Sequence, residues 1–416
     1  MTAAPPRGLA RDTLVLAAGL GAAQALTLAV LPLWSRLYSP ADFAAWGLWL
    51  SVVAVVSTLL LLRYDTCIVI ARSDAEARAL LRLCLRLALG GGAVLALLAW
   101  ALPQALLQPL AQALGLQALG AWLPLAVVGG ALAAAFAALL AWANRQRAYP
   151  RITGARIAVA AAAALAGSAF GWAGMVGGLL LSQLIGGVVG LLALGRERGS
   201  ADGVAAAARH HAQAPRYLWP SALLDAVTQQ LPMALAVLWF TQDEAGQFSL
   251  AWRVLAVPVL MLAGAAGTVF YERFATLAAP GAAADRAAAR GLLLRTWRAF
   301  ALIGLVPTVV ILLWGEPLFA ALFGAGWRPA GALAAVLMPM LWAMLVSSPT
   351  SGALIVLGLQ KWSPVFGLAM LVYRPAALWV GAQQGSLAAG LMLWAVCEIA
   401  VIALYNLLLL RALRSA

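Results

Sequence analysis

The sequence predicts an all-α integral membrane protein: about twelve transmembrane helices in two pseudo-symmetric six-helix bundles around a central cavity. Three observations predict it. Of the 416 residues, 64% are hydrophobic and only 10% are charged, against about 25% charged in a soluble domain; the mean hydropathy is +0.95. The apolar residues fall in runs of about 20, the length of helix that crosses a bilayer core. Arginines gather in alternate connections between those runs, as they do on the cytoplasmic side of a membrane. The alternating pattern of a transmembrane β-barrel is absent.

Taken in order, the first six spans are 13–33, 43–62, 83–102, 119–143, 152–172 and 175–194; the second six are 218–240, 246–270, 292–314, 330–357, 363–381 and 387–410. The opening run follows Arg7 and Arg11 and is longer than the ~7–15 apolar residues of a signal peptide. With Pro32, Trp34 and Arg36 after it, it reads as an uncleaved first span. Placing the N-terminus inside puts Arg63, Arg78, Arg145, Arg156, Arg209, Arg216, Arg295, Lys361 and Arg411 on the cytoplasmic side. Only Arg36 and Arg328 are left opposite. That asymmetry requires an even number of spans, so both termini are expected in the cytoplasm. The net charge of +13 is then a match for anionic lipid headgroups. Without aromatic residues interleaved in the basic loops, nucleic acid is excluded as a partner.

The longest polar connection, 195–217, divides the chain into an N-terminal lobe (1–194) and a C-terminal lobe (218–416). The lobes echo each other. Ser39-Pro-Ala-Asp-Phe-Ala-Ala-Trp46 leads into the second span, and the acidic turn 241–245 followed by Phe248 leads into the eighth. Arg63-Tyr-Asp65 closes one of these helices and Tyr271-Glu-Arg273 the other. Parallel repeats of this kind place a transporter's site between the halves, near mid-membrane.

Charges inside the spans single out candidate residues, because a charge in hydrocarbon costs ~2.5–3.5 kcal/mol or more and marks a pathway or a pair. Arg253 sits about seven residues into the eighth span, roughly 10 Å deep. Asp225, Gln229 and Pro232 share a face of the seventh, and Ser249, Arg253 and Ala256 share a face of the eighth; both faces are expected to look into the cavity. Arg374 and Glu398 lie at matching depth in the last two spans. They are either a buried structural pair or, through a titratable Glu398, a coupling device. Asp225 is a second candidate for ion coupling. Arg36 and Arg63 bracket the first hairpin, and an arginine fork suits phosphate; Arg63 reads equally as a positive-inside anchor. Prolines at 32, 232, 258, 307, 339, 349, 364 and 375 predict kinks or span ends. The glycines 90–92, 174/178 and 186/190 read as close helix packing.

Cys67, Cys84 and Cys397 fit no metal or disulfide spacing. His210 and His211 have no acidic or Cys companion nearby in sequence, and adjacent residues diverge on a helix, so no metal is expected. No catalytic cluster and no cofactor motif stands out.

The stretches Ser35-Arg-Leu-Tyr-Ser-Pro-Ala-Asp-Phe43, Arg63-Tyr-Asp with the following Ile-Val-Ile-Ala-Arg-Ser-Asp-Ala-Glu76, and Leu322-Phe-Gly-Ala-Gly-Trp-Arg328, with the opening segment, resemble the Wzx-type oligosaccharide flippase family. That family belongs to the multidrug/oligosaccharidyl-lipid/polysaccharide exporter superfamily, and the likeness covers nearly the whole chain. It implies a monomer of the bacterial inner membrane with a cationic cavity, not an enzyme. It would move a polyprenyl-pyrophosphate-linked oligosaccharide between leaflets by alternating access, without a cofactor, with membrane lipid and a proton or sodium ion as further partners. The substrate binders would be Arg253, Arg63, Arg36, Asp225, Gln229 and Arg374, with Glu398 and Asp225 for ion coupling. The acidic ion site of the multidrug branch has no clear counterpart here. A multidrug cation antiporter is the alternative within the superfamily. A membrane polysaccharide polymerase or glycosyltransferase is a third reading, weakened because no loop is long and no Asp-x-Asp occurs.

Overall fold

The structure, a computed structural model, describes residues 7–101, 119–120, 122–169, 177, 180, 184, 201–278 and 286–413. Every regular element among them is helical. The longer ones are α1 (Arg7–Leu37), α2 (Pro40–Leu61), α3 (Tyr64–Ile70), α4 (Asp74–Arg86), α5 (Gly92–Ala101), α6 (Leu123–Arg145), α7 (Tyr149–Ala169), α8 (Ala201–His210), α9 (Trp219–Trp239), α10 (Gln242–Ala278), α11 (Arg286–Phe323), α12 (Arg328–Ser347), α13 (Ala353–Val356), α14 (Ser363–Gln383) and α15 (Leu387–Ala412). A π-helical turn, Leu87–Gly91, joins α4 to α5. Among the described residues nine helical stretches are long and apolar enough to cross a bilayer. They match the second to fourth and the seventh to twelfth predicted spans. The first predicted span lies within α1, and the described part of the fifth, 152–169, lies within α7, whose apolar part is Ile152–Ser168. The sixth, 175–194, lies outside the described residues but for three positions, and so do Gly174, Gly178, Gly186 and Gly190.

Two of these helices start for the same local reason. Ser39 Oγ accepts the Asp42 amide, and Asp42 Oδ2 accepts the Ser39 amide at 2.9 Å. Thr241 and Glu244 repeat the exchange: Glu244 N donates to Thr241 Oγ1 and Thr241 N donates to Glu244 Oε2, both at 3.2 Å. The sequence echo between the halves is thus a pair of capping boxes, each satisfying amides that a helix start leaves open.

The described chain divides into two compact units, Met1–Leu238 and Trp239–Ala416. In the first, α1 packs on α7 and α2 on α6. Tyr38 Oη donates to the Gly167 carbonyl, and Trp34 Nε1 donates to Ser168 Oγ at 3.2 Å. Helix α9 keeps company with this unit through Ser51 Oγ, which donates to Gln230 Oε1 at 3.1 Å, and through Ala234 and Val237, which pack on the cluster around Trp49. Arg145, at the end of α6, donates from Nη1 to the carbonyls of Ile68, Val69 and Ala71 and forms an ion pair with Asp74 at 3.0 Å. It closes the C-terminal end of α3, where open carbonyls favour a cation.

In the second unit α11 packs on α12, α12 on α10 and α15, and α14 on α15. Helix α11 shows how a membrane helix sorts its faces. Leu302, Val306, Val309 and Leu313 are exposed, while Gly304, Thr308, Ile311 and Gly315 are buried at the same i, i+4, i+7, i+11 spacing. Lipid is as apolar as leucine, so close packing of small residues, not hydrophobicity, draws such helices together. Gly315 and Gly331 let α11 and α12 touch backbone to backbone, as Gly381 and Gly390 do for α14 and α15. The ninth predicted span ends where α11 breaks, at Trp314 (φ −127°, ψ 16°). Pro317, a proline outside the predicted set, removes the amide that would bond to the Leu313 carbonyl.

Candidate functional site

Arg374 and Glu398 face each other because α14 and α15 are antiparallel neighbours whose turn lies nearly equidistant from both residues. Arg374 Nη2 donates to Glu398 Oε1 at 2.8 Å and Nε donates to Oε2 at 3.1 Å, a two-pronged bond. Tyr373 Oη at 2.6 Å and Trp394 Nε1 at 2.8 Å also donate to Oε2. Both charges are 3% or less exposed. Four hydrogen bonds on one carboxylate are what make a buried ion pair tolerable in a medium that cannot solvate it.

Arg253 lies on α10 and is half-buried, between Ser249 and Ala256, which are fully buried on the same face. Ser249 Oγ has no hydrogen-bond partner among the described residues. The capping boxes reveal a register the sequence reading did not use. Ser51 follows Ser39, and Arg253 follows Thr241, by the same twelve positions. Where one repeat places a serine bonded to a glutamine, the other places a guanidinium.

In the first unit Arg63 occupies the junction between α2 and α3. It and Leu62 both take left-handed backbone conformations, φ 63° and 48°. Two consecutive non-glycine residues there are a costly arrangement, found where function or packing over-determines the backbone. Arg63 Nε is buried and has no hydrogen-bond partner among the described residues, and neither has Asp65 Oδ1. Arg36 is exposed in the last turn of α1. Asp225 and Gln229 are exposed on α9, while Pro232, predicted for the same face, is buried. In the second unit, a recess of about 790 Å3 is lined by Arg273, Arg295, Thr276 and Thr296 over apolar Val269 and Phe300.

The sequence reading set His210 and His211 apart from any acid. The structure corrects that. Glu76, at the start of α4, puts Oε1 3.1 Å from His211 Nε2 and 3.7 Å from His210 Nε2. The two rings are close, 4.9 Å between centroids, because α8 ends at His210 and His211 lies in the turn beyond it. The helical divergence of adjacent side chains does not apply there. The cysteines behave as expected of small apolar residues. Cys67 in α3 is buried, and that burial, with Asp65 adding to it, pushes its thiol up against the pull of Thr66 and Arg63.

A comparison with protein families matches residues 33–332 to a family described as polysaccharide biosynthesis protein. No curated protein matches the chain in sequence. Several solved structures share its fold. The lipid II flippase MurJ in an inward closed conformation aligns at a TM-score of 0.72 and 9% identity, over 96% of this chain and 87% of that one. An inward-facing multidrug resistance MATE family transporter of the MOP superfamily aligns at 0.67 and 15% identity, over 93% and 96%. A MOP superfamily transporter from Pyrococcus furiosus, described as having a binding pocket of reverse polarity, aligns at 0.57 and 14%, over 97% and 96%.

Proposed function

The chain belongs to the polysaccharide biosynthesis protein family, and from that premise we propose that it is a flippase for a polyprenyl-pyrophosphate-linked oligosaccharide. It is a multi-pass membrane protein with the fold of MOP superfamily transporters. On this reading it works in the bacterial inner membrane as a monomer with both termini in the cytoplasm. Lobes 1–194 and 218–416, joined by 195–217, rock about a central cavity by alternating access. The sugar and pyrophosphate cross through water while the polyprenyl tail stays in lipid. No bond is made or broken.

The observation that carries the reading is Arg63: a guanidinium with a buried Nε and no protein hydrogen-bond partner for it among the described residues. Arginine gives a pyrophosphate paired, charge-assisted hydrogen bonds. Arg63 receives the headgroup, Arg253 holds it within the membrane, and Arg36 meets it on the far side. Arg273 and Arg295 present the same chemistry in the recess of the second unit. Asp225 and Gln229 serve the sugar hydroxyls or a coupling proton or sodium ion. Arg374 and Glu398 are assigned to structure, because they bond each other through two hydrogen bonds and Glu398 takes two more from Tyr373 and Trp394.

The alternative, a multidrug cation antiporter, rests on Asp225 alone, an acid left exposed on α9. Proteoliposomes carrying a fluorescent pyrophosphate-linked oligosaccharide on one leaflet test between the two. The wild-type protein should deliver the lipid to the other leaflet, and Arg253→Ala should abolish delivery while inserting normally. Export of cationic dyes without movement of the lipid would establish the alternative instead.

A further inference from the structure

We propose that Glu76, His210 and His211 form a binding site for a divalent transition-metal ion of the zinc class, which staples α8 to the start of α4. The three side chains come from two elements far apart in sequence, and their ligand atoms all lie within 4.8 Å of one another. Both imidazoles present the same nitrogen, Nε2, to the same carboxylate oxygen, at 3.1 and 3.7 Å. One hydrogen bond would need only one of them. Zinc binds imidazole nitrogen and carboxylate oxygen at ~2.0–2.2 Å in a tetrahedron, so neighbouring ligand atoms stand about 3.3–3.5 Å apart. The two measured separations bracket that edge.

The surroundings support a built site. The other oxygen of Glu76 is held by the Arg72 amide at 2.7 Å, and the Glu76 amide is held by Ser73 Oγ at 3.2 Å. The carboxylate therefore cannot swing away, the service that outer hydrogen bonds perform for metal ligands generally. Helix α8 is also tied down independently, because Tyr64 Oη donates to the Ala208 carbonyl at 3.3 Å. Glu76 and His211 are only 17% and 14% exposed, while His210 is 44% exposed. Two imidazoles and a carboxylate are a donor set that suits zinc, nickel and copper and disfavours magnesium and calcium, which prefer oxygen alone. Three protein ligands leave a fourth position for water.

The consequence is mechanical. The ion fixes residues 201–211, the middle of the long connection between the halves, to the start of α4 in the same unit that carries Arg63. Metal binding then adds to the stability of the first unit by mass action, without entering the transport step itself.

The test uses full-length protein in detergent, purified by a tag free of histidine, stripped with EDTA and titrated with Zn2+ by calorimetry. One saturable site per chain is expected. Glu76→Gln, which keeps the shape of the side chain, and His211→Ala should each weaken it by about 10- to 100-fold or more. At a Zn2+ concentration that just saturates the wild-type protein, its unfolding temperature should rise, and that of both variants should rise much less. X-ray absorption at the zinc edge should report nitrogen and oxygen donors only; a sulfur donor would move the site to a cysteine and overturn the proposal. So would an absence of saturable binding to the stripped wild-type protein, or undiminished binding in both variants. If Glu76→Gln does not fold, His210→Ala, on the more exposed ring, replaces it and must show the same loss.

Discussion

Arg374 in the second unit is buried, Arg63 in the first is half-buried with its Nε out of solvent, and their hydrogen bonding differs. Arg374 bonds a carboxylate through two nitrogens, and that carboxylate takes two further donors from Tyr373 and Trp394. Arg63 stands in a left-handed turn with its Nε buried and unsatisfied. A buried charge with a full set of partners is part of the architecture. On the proposed reading, a buried guanidinium nitrogen without one is held ready for the substrate. Burial separates the two arginines by degree, and the hydrogen-bond inventory separates them in kind.

The largest effect expected from that contrast follows from breaking the satisfied pair. Glu398→Ala leaves Arg374 charged and unpartnered, at a cost of about 3–5 kcal/mol. Thermal unfolding in detergent should register the loss. Replacing both partners by apolar residues, as in Arg374→Met with Glu398→Leu, should recover most of it and retain transport. A double variant that is stable yet silent would show that the pair works in transport, and the contrast would collapse.

Arg63→Ala should behave in the opposite way. It relieves an unsatisfied group, so stability should hold, while delivery of a pyrophosphate-linked lipid should fall roughly 10- to 100-fold, the value of one hydrogen bond to a charged group. Arg63→Lys should recover only part of this, because an ammonium cannot present a planar fork. Equal transport by all three proteins would return Arg63 to the role of a simple topological anchor.

The smallest effect concerns what the two units share. Ser39→Ala and Thr241→Ala each remove one capping box and should each cost about 0.5–2 kcal/mol. Similar losses, read from the unfolding of each variant, would sharpen the view that the repeats are built alike and differ in what they carry twelve residues on, Ser51 in one and Arg253 in the other.

How far the sequence could be read follows the same division. The echo of the two acidic turns was legible, but that each is a capping box, and their common register, were visible only once the hydrogen bonds were. The Arg374–Glu398 pairing was legible because a short turn places residues at equal distance from it side by side. The approach of Glu76 to His211 was not: it spans 135 positions and depends on α8 stopping at His210. Neither was the unsatisfied Nε of Arg63, since nothing in a string of residues says which donors find acceptors.

What the sequence by itself determined is that the chain is built of membrane spans, nine of which the described residues match. Hydropathy is a local sum, and the bilayer supplies a fixed length to compare it with, so runs of about twenty apolar residues declare themselves. The tertiary structure alone decided which polar side chains meet. Such meetings depend on angstrom-scale convergence of helices distant in the chain, and one turn of difference at a helix end makes or removes a partner.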